Sequence, residues 1–233
     1  MNFFLKKLLF SLPPEVAHHL ALTGLNLAFQ CGLLRKQILP TAPQTVMGLS
    51  FPNPVGLAAG FDKNAECIEA LSQLGFGFIE IGTITPKPQE GNPKPRIFRL
   101  TAHEAIINRL GFNNKGIDYV VRRLEKSTYH GVLGINIGKN KDTPLDKAVD
   151  DYILGFQQFW RFASYITLNI SSPNTPGLRE LQQENWLGSL LRTLKQEQHE
   201  SDDAFNIGYF FIYRQKSHLF QSIRNSMRTT FEP

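Results

Sequence analysis

The chain has 233 residues, enough for one or two domains with a packed core. Its composition, 42% apolar and 19% charged, is that of a globular protein and excludes a disordered or fibrous chain. A net charge of +5 suits an anionic ligand or an anionic membrane surface. No run of Lys and Arg is interleaved with aromatics, so no nucleic-acid partner is expected. Cys31 and Cys67 lie in separate apolar contexts without CxxC or Cys/His metal spacing. They read as reduced, buried thiols of a cytosolic protein, and no metal site is expected.

Phe3 to Phe10 is apolar except for Lys6 and Lys7, and no small-residue cleavage site follows, which argues against a secretory signal. Val16 to Leu34 carries no formal charge but is broken by His18, His19, Thr23, Asn26 and Gln30. A membrane-spanning helix needs about 20 consecutive apolar residues. The stretch reads instead as two amphipathic helices lying on a membrane, divided at Pro13-Pro14, with Pro14 in the first turn of the second. The plainer alternative is two ordinary helices packed on a domain. Gln37 to Pro43 is a linker, and a short hairpin is expected around Val46 to Phe51.

Four short buried strands follow: Val55–Ala59, Phe76–Thr83, Val132–Ile137 and Tyr165–Ile170. Helical patterns occupy Asn64–Leu74, Lys115–Lys126 and Pro144–Phe162, the last opened by Thr143 as cap and Pro144 at the first helical position. A final helix spans Trp186 to Gln198. Strands alternating with helices predict βα units and a parallel sheet. Each strand runs out into glycine or polar residues, and in a (β/α)8 barrel the carboxyl ends of the strands build the active site. For one strand a cap or turn would explain this; four alike point to a site.

Three segments carry chemistry. Ala58-Ala59-Gly60-Phe61-Asp62-Lys63 joins small residues, against which a flat ring can lie, to a lysine that can meet a carboxylate or an electron-rich ring edge. Asn108-Arg109-Leu110-Gly111-Phe112-Asn113-Asn114 is dense in amides, which match the donors and acceptors of amide and imide edges; a turn-rich loop is the alternative. Asn169-Ile170-Ser171-Ser172-Pro173-Asn174-Thr175-Pro176-Gly177-Leu178-Arg179 is a strand running into a loop stiffened by two prolines. Ser172, held extended before Pro173, could act as nucleophile or base between Asn169 and Asn174. A serine base needs a water-excluded site and a proton outlet. The bland reading is a capped loop.

These residues resemble the class 2, quinone-dependent dihydroorotate dehydrogenases from the N-terminus to about Gln196. The Asn108–Asn114 and Asn169–Arg179 segments are the most specific. The helical pair before Pro40, and serine at position 172, favour class 2 over its soluble relatives. The resemblance implies a TIM-barrel (β/α)8 fold, here the N-terminal half of the barrel behind a helical pair. It implies oxidation of dihydroorotate to orotate in pyrimidine synthesis, with FMN as cofactor and a membrane quinone as acceptor. Ser172 would be the catalytic base, with Phe112 and Thr175 lining its proton exit. Lys63, Asn108, Arg109, Leu110, Gly111, Phe112, Asn169 and Asn174 would hold the substrate. Ala59, Gly60, Phe61, Asp62, Lys63, Thr83, Asn136 and Asn169 would meet FMN, and His18 and Arg99 would stand near the quinone. The complete family form is expected to be a monomer, peripheral on the cytoplasmic face of the bacterial inner membrane.

Four strands cannot close an eight-stranded barrel, and the residues from Val46 onward fall short of the roughly 250 such a barrel takes. The family continues with a flavin-contacting lysine strand, a Thr-Asn-Thr-Thr stretch and two glycine-rich phosphate loops, none of which follows Gln196. The expected organisation is 1–37 as membrane and quinone-entrance segment, 38–198 as N-terminal part of the barrel, and 199–233 as an aberrant tail without βα rhythm. Truncation or a frameshift near 197–200 would explain that tail; a short variant with another C-terminal partner is the competing account. Two other functions stay open: an inactive membrane-associated fragment, and an FMN oxidoreductase of another dihydropyrimidine.

Overall fold

The structure, a computed structural model, describes residues 3–37, 42–175, 177–200 and 210–213. Two helices come first, α1 (Phe3–Ser11) and α2 (Pro14–Gln30), separated by Pro13 and with Pro14 in the first turn of α2. Strands β1 (Gln44–Val46) and β2 (Leu49–Phe51) form the expected antiparallel hairpin. Then β3 (Gly56–Leu57), α3 (Ile68–Ser72) and β4 (Phe78–Ile84) begin the βα series. A second antiparallel hairpin, β5 (Ile97–Leu100) with β6 (Ala105–Asn108), interrupts it before α4 (Ile117–Leu124). The series resumes with β7 (Val132–Ile137), α5 (Ala148–Phe159), β8 (Tyr165–Asn169), α6 (Glu184–Glu200) and β9 (Phe210–Tyr213).

Strands β3, β4, β7, β8 and β9 form one five-stranded sheet in that order, every pairing parallel. Side chains alternate between its faces. Ile79, Ile81, Ile135, Ile137, Ile166 and Leu168 are buried in one core with Ile68, Leu71, Val120, Leu124, Phe156, Phe159, Leu190 and Leu194 of the helices. Each such side chain contributes about 1.5–3 kcal/mol on leaving water, which is why short strands suffice here. The other face carries Phe78, Glu80, Gly134, Asn136, Tyr165, Thr167 and Asn169, and so holds nearly all the polar groups of the sheet.

Several expectations need correction. β3 has two paired residues rather than five, and α3 begins at Ile68 rather than Asn64. The Asp62 carboxylate accepts the backbone N–H groups of Glu66 and Cys67, and Ala65 takes φ +58°, so residues 64–67 form a capped turn. Pro144 is extended, and α5 is entered through a 3-10 turn at Leu145–Lys147. Cys67 is buried, but Cys31 is exposed at the carboxyl end of α2. The tail, expected to lack βα rhythm, contributes Phe210–Tyr213 as a fifth parallel strand beside β8. The rest of the proposed tail from 201 on, and most of the linker (38–41), lie outside the described residues.

The helical pair is fastened by two arginines of the hairpin region. Arg96, 5% exposed, donates from Nε (3.0 Å) and Nη2 (2.7 Å) to Glu15 Oε1 on α2, and from Nη1 to the carbonyls of Glu90 and Asn92. That ion pair holds the Glu15 carboxyl below its usual range against the desolvation that would raise it. Arg99 donates to the carbonyls of Leu9, Phe10 and Leu12, closing the carboxyl end of α1. On α2, Val16, Leu20 and Leu27 share one outer stripe and are exposed, as are Leu8 and Phe10 of α1. Among the described residues no helix is long and apolar enough to cross a membrane.

Removing Glu15 leaves the buried Arg96 charge without its anion. Glu15→Ala is expected to lower stability by about 3 kcal/mol in urea unfolding, and Glu15→Asp by less; an unchanged midpoint in the alanine variant would show that the pair does not fasten the helices.

Candidate active site

The carboxyl ends of β3, β4, β7 and β8 surround a cleft of about 300 Å³. Ala58, Ala59, Gly60 and Lys63 come from the segment after β3, Glu80 and Thr83 from β4, and Asn136 from β7. Asn169, Ser172 and Asn174 come from β8 and its loop, and Asn108, Leu110, Gly111 and Phe112 from the end of β6. The small residues make a shallow wall: Gly60 has φ +100°, and a Cβ there would meet nothing within 4 Å.

The 108–114 segment is held in place by the 89–96 segment. Asn92 N–H donates to Leu110 O (2.9 Å) and its amide to Arg109 O (2.9 Å), while the Gln89 amide donates to Gly111 O (3.0 Å). Gly111 and Phe112 take φ +73° and +54°, which turns the Phe112 ring toward Gly138. A Cβ at Gly138 would come within 2.9 Å of Thr83 Cγ2 and 3.2 Å of the Phe112 ring. Glycine there is therefore a packing requirement. Asn114 is a buried rivet: its amide serves the backbone N–H of Thr85 and Gly116, the Thr85 hydroxyl and the Phe112 carbonyl. Asn113 accepts from Lys63 Nζ. Burial, aided by the nearby Arg96 charge, brings the Lys63 ammonium down to about 8, with Glu15 opposing.

Polar groups at the back of the cleft form one connected set. Glu80 Oε1 accepts from Asn136 Nδ2 (2.8 Å) and Glu80 Oε2 from the Tyr165 hydroxyl (3.0 Å). The β4–β7 register shifts between Gly82 and Ile84, and Thr83 bonds to Asn136 Oδ1 and accepts from Asn169 Nδ2 (2.9 Å). Asn169 Oδ1 accepts from Ser171 N and Oγ. Behind it Tyr152, fully buried on α5, donates its hydroxyl to Asn169 O (2.9 Å). Burial raises the phenols of Tyr152 and Tyr165, so both remain donors. Ser172 Oγ accepts the Asn174 N–H (3.2 Å).

Of the residues singled out from sequence, Ala59, Gly60, Lys63, Thr83, Asn108, Leu110, Gly111, Phe112, Asn136, Asn169, Ser172 and Asn174 meet in the cleft. Asp62 does not reach it, because its carboxylate caps the turn before α3. The Arg109 guanidinium folds onto Pro95 O, and the Phe61 ring packs edge-on against His18 (4.9 Å between centroids). Thr175 is buried but does not line the cleft. His18 is half-buried on α2, its imidazole pushed down by desolvation, and Arg99 closes α1 beneath the Phe10 ring. Glu80 is a further cleft residue outside the expected set, and its sequence signal is a carboxylate between Ile79 and Ile81 of a buried strand. No cluster of three or more His, Cys, Asp or Glu fit for a metal occurs among the described residues.

One cation, four amides, two hydroxyls and a small-residue wall suit a flat ligand with carbonyl and carboxylate edges. The comparisons with known proteins point the same way. The family model for dihydroorotate dehydrogenase matches residues 41–215. The dihydroorotate dehydrogenase (quinone) of Nitrosospira multiformis is 58% identical over 199 residues, 85% of this chain and 57% of the relative. That of Acinetobacter baumannii is 56% identical over 201 residues, covering 86% and 60%. The chain thus spans about three fifths of the length of these curated relatives. Among solved structures, ligand-free dihydroorotate dehydrogenase from Eimeria tenella superposes with a TM-score of 0.80 at 38% identity, covering 94% of this chain and 67% of that one. The same enzyme in complex with ferulenol gives 0.72 at 47% identity, covering 80% and 51%. The parallel strands described above are thus part of a TIM-barrel fold, and the chain belongs to the dihydroorotate dehydrogenase family, whose members are flavin-dependent oxidoreductases.

Proposed function

We propose that the cleft is the substrate and FMN site of a quinone-linked dihydroorotate oxidation, the step that forms orotate in pyrimidine synthesis. The observation that carries this reading is the convergence of Lys63, Asn108, Asn136, Asn169, Ser172 and Asn174 from separate segments on one small cavity. The wall of Ala59 and Gly60 has room for a flat ring, and the amides of Asn136 and Asn169 supply donors for its edge. Ala59, Gly60, Asn136 and Asn169 would hold FMN, which when bound would supply the electron acceptor for the oxidation.

Lys63, with Asn108 and Asn174, holds the substrate carboxylate and ring amides. Ser172 Oγ takes the C5 proton. The Asn174 N–H aimed at Oγ favours the alkoxide, as a hydrogen bond to a charged form does. The Phe112 ring excludes water beside it, and Thr175 continues the way out for the proton. The relatives' name implies a quinone as acceptor and supports membrane association. The exposed stripe of Val16, Leu20 and Leu27 on the 1–37 segment supports a peripheral contact, with His18 and Arg99 toward the quinone, on the cytoplasmic face of the inner membrane.

The test is the visible flavin absorption of the chain with FMN supplied, followed without oxygen. Dihydroorotate is expected to bleach the band and dihydrouracil to leave it; bleaching by both, or by neither, would refute the assignment. Ser172→Ala is expected to slow bleaching by a factor of about 100 or more while FMN stays bound.

Lys63 loses its charge near pH 8, so orotate affinity should be highest below that value and fall as pH rises through it. A Lys63→Met chain should bind weakly with no such decline, as fluorescence titration from acid to alkaline buffer would show. For the membrane contact, Leu20→Glu with Leu27→Glu should abolish co-sedimentation with anionic vesicles; retention would place the contact elsewhere.

A further inference from the structure

The connected polar set at the back of the cleft has a direction, and the group that sets it is Glu80. A carboxylate accepts hydrogen bonds and donates none. Asn136 must therefore present its NH2 to Glu80 Oε1, which turns its carbonyl oxygen to Thr83. Thr83 must then donate to that oxygen, which leaves its lone pairs to accept from Asn169 Nδ2. Asn169 is thereby turned with its oxygen toward Ser171, which occupies it with both N–H and hydroxyl, each at 3.3 Å. An amide flip at either asparagine would set donor against donor or acceptor against acceptor all along the line. The line is shielded: Thr83 is 7% exposed and Asn136 2%. Tyr165 donates to the second Glu80 oxygen, so the carboxylate is satisfied at both ends.

We propose that Glu80 is a positioning residue whose two accepted hydrogen bonds fix the polarity of the Glu80–Asn136–Thr83–Asn169 relay, so that Asn169 meets a ligand in the cleft as a donor. Its oxygen is already engaged twice, and one of its two N–H bonds is given to Thr83. The remaining N–H is matched to a carbonyl oxygen on the edge of a flat heterocycle. Such a site discriminates by requiring an acceptor at that place, because a ligand presenting an N–H there would face a donor with nowhere to turn.

The inference rests on the flavin and substrate reading of the cleft, and its first measurement needs no ligand. Glutamine at position 80 can donate as well as accept, so it no longer dictates the facing of the amides. In chain labelled with 15N at asparagine, Glu80→Gln is expected to shift the side-chain NH2 signals of both Asn136 and Asn169. The signal of Asn26 of α2, whose amide donates to Glu66 O in the turn before α3, serves as reference and stays in place. Movement of Asn136 alone, or of neither, would overturn the proposal. Should the variant not fold, Thr83→Val breaks the relay at its middle. Asn169 should then move, and an unmoved Asn169 signal would count against the relay.

The second measurement is FMN affinity by quenching of flavin fluorescence. Glu80→Gln is expected to weaken it by roughly tenfold, the scale of one good hydrogen bond. A wild-type chain that takes no FMN would reject the flavin reading, while the asparagine signals would still decide the relay. A wild-type chain that takes FMN, with equal affinity in the variant, would retain the flavin reading and reject Glu80 as its positioning residue.

Discussion

Polar side chains inside a parallel sheet cost free energy unless each finds a partner, and this constraint shapes the site. Glu80, Thr83, Asn136, Tyr165 and Asn169 meet at the back of the cleft, Thr83, Asn136 and Tyr165 buried and Glu80 and Asn169 half-buried. Burying any one of the neutral groups without a partner would cost about 1–3 kcal/mol, and the Glu80 carboxylate more. Together they satisfy one another, and the cleft inherits a fixed pattern of donors and acceptors. Thr167, in the same row, is the exception: its Oγ1 is buried without a hydrogen-bond partner among the described residues.

The apolar face of the sheet is what made the fold legible. The sequence places β4, β7 and β8 within two residues at each end, because isoleucine and leucine alternate there with polar or small residues. The hairpin β5–β6 is not legible in the sequence: Phe98, Leu100, Ile106 and Ile107 are exposed, so no burial pattern announces it. Nor is β9, whose four residues stand in a stretch whose composition gives no strand rhythm. The helix expected from Asn64 starts only at Ile68, because the carboxylate cap five residues before Cys67 looks in sequence like a strand-end acid.

The site was legible to the extent that its chemistry sits at strand ends. Lys63, Asn136, Asn169 and Ser172 all stand where a packed strand gives way to a loop. Residues within a segment were harder to sort. In Gly60-Phe61-Asp62-Lys63, two neighbours enter the cleft and two leave it, because Asp62 is drawn to the backbone N–H groups before α3. In the 108–114 segment, Arg109 turns to Pro95 while Asn108 and Leu110 face the cleft. Spacing along a loop says little about direction when the φ angles change sign, as they do at Gly111 and Phe112.

Arg96 joins two parts of the molecule through one guanidinium. Its bonds to Glu15 reach α2, and its bonds to Glu90 and Asn92 reach the segment that braces the cleft loop. Neither part can change its charge at this junction without stranding the other. Across related sequences the acid at 15 and the base at 96 should be gained and lost as a pair. A chimera that takes its helical pair from one relative and its barrel from another will join well only if both halves agree on that pair.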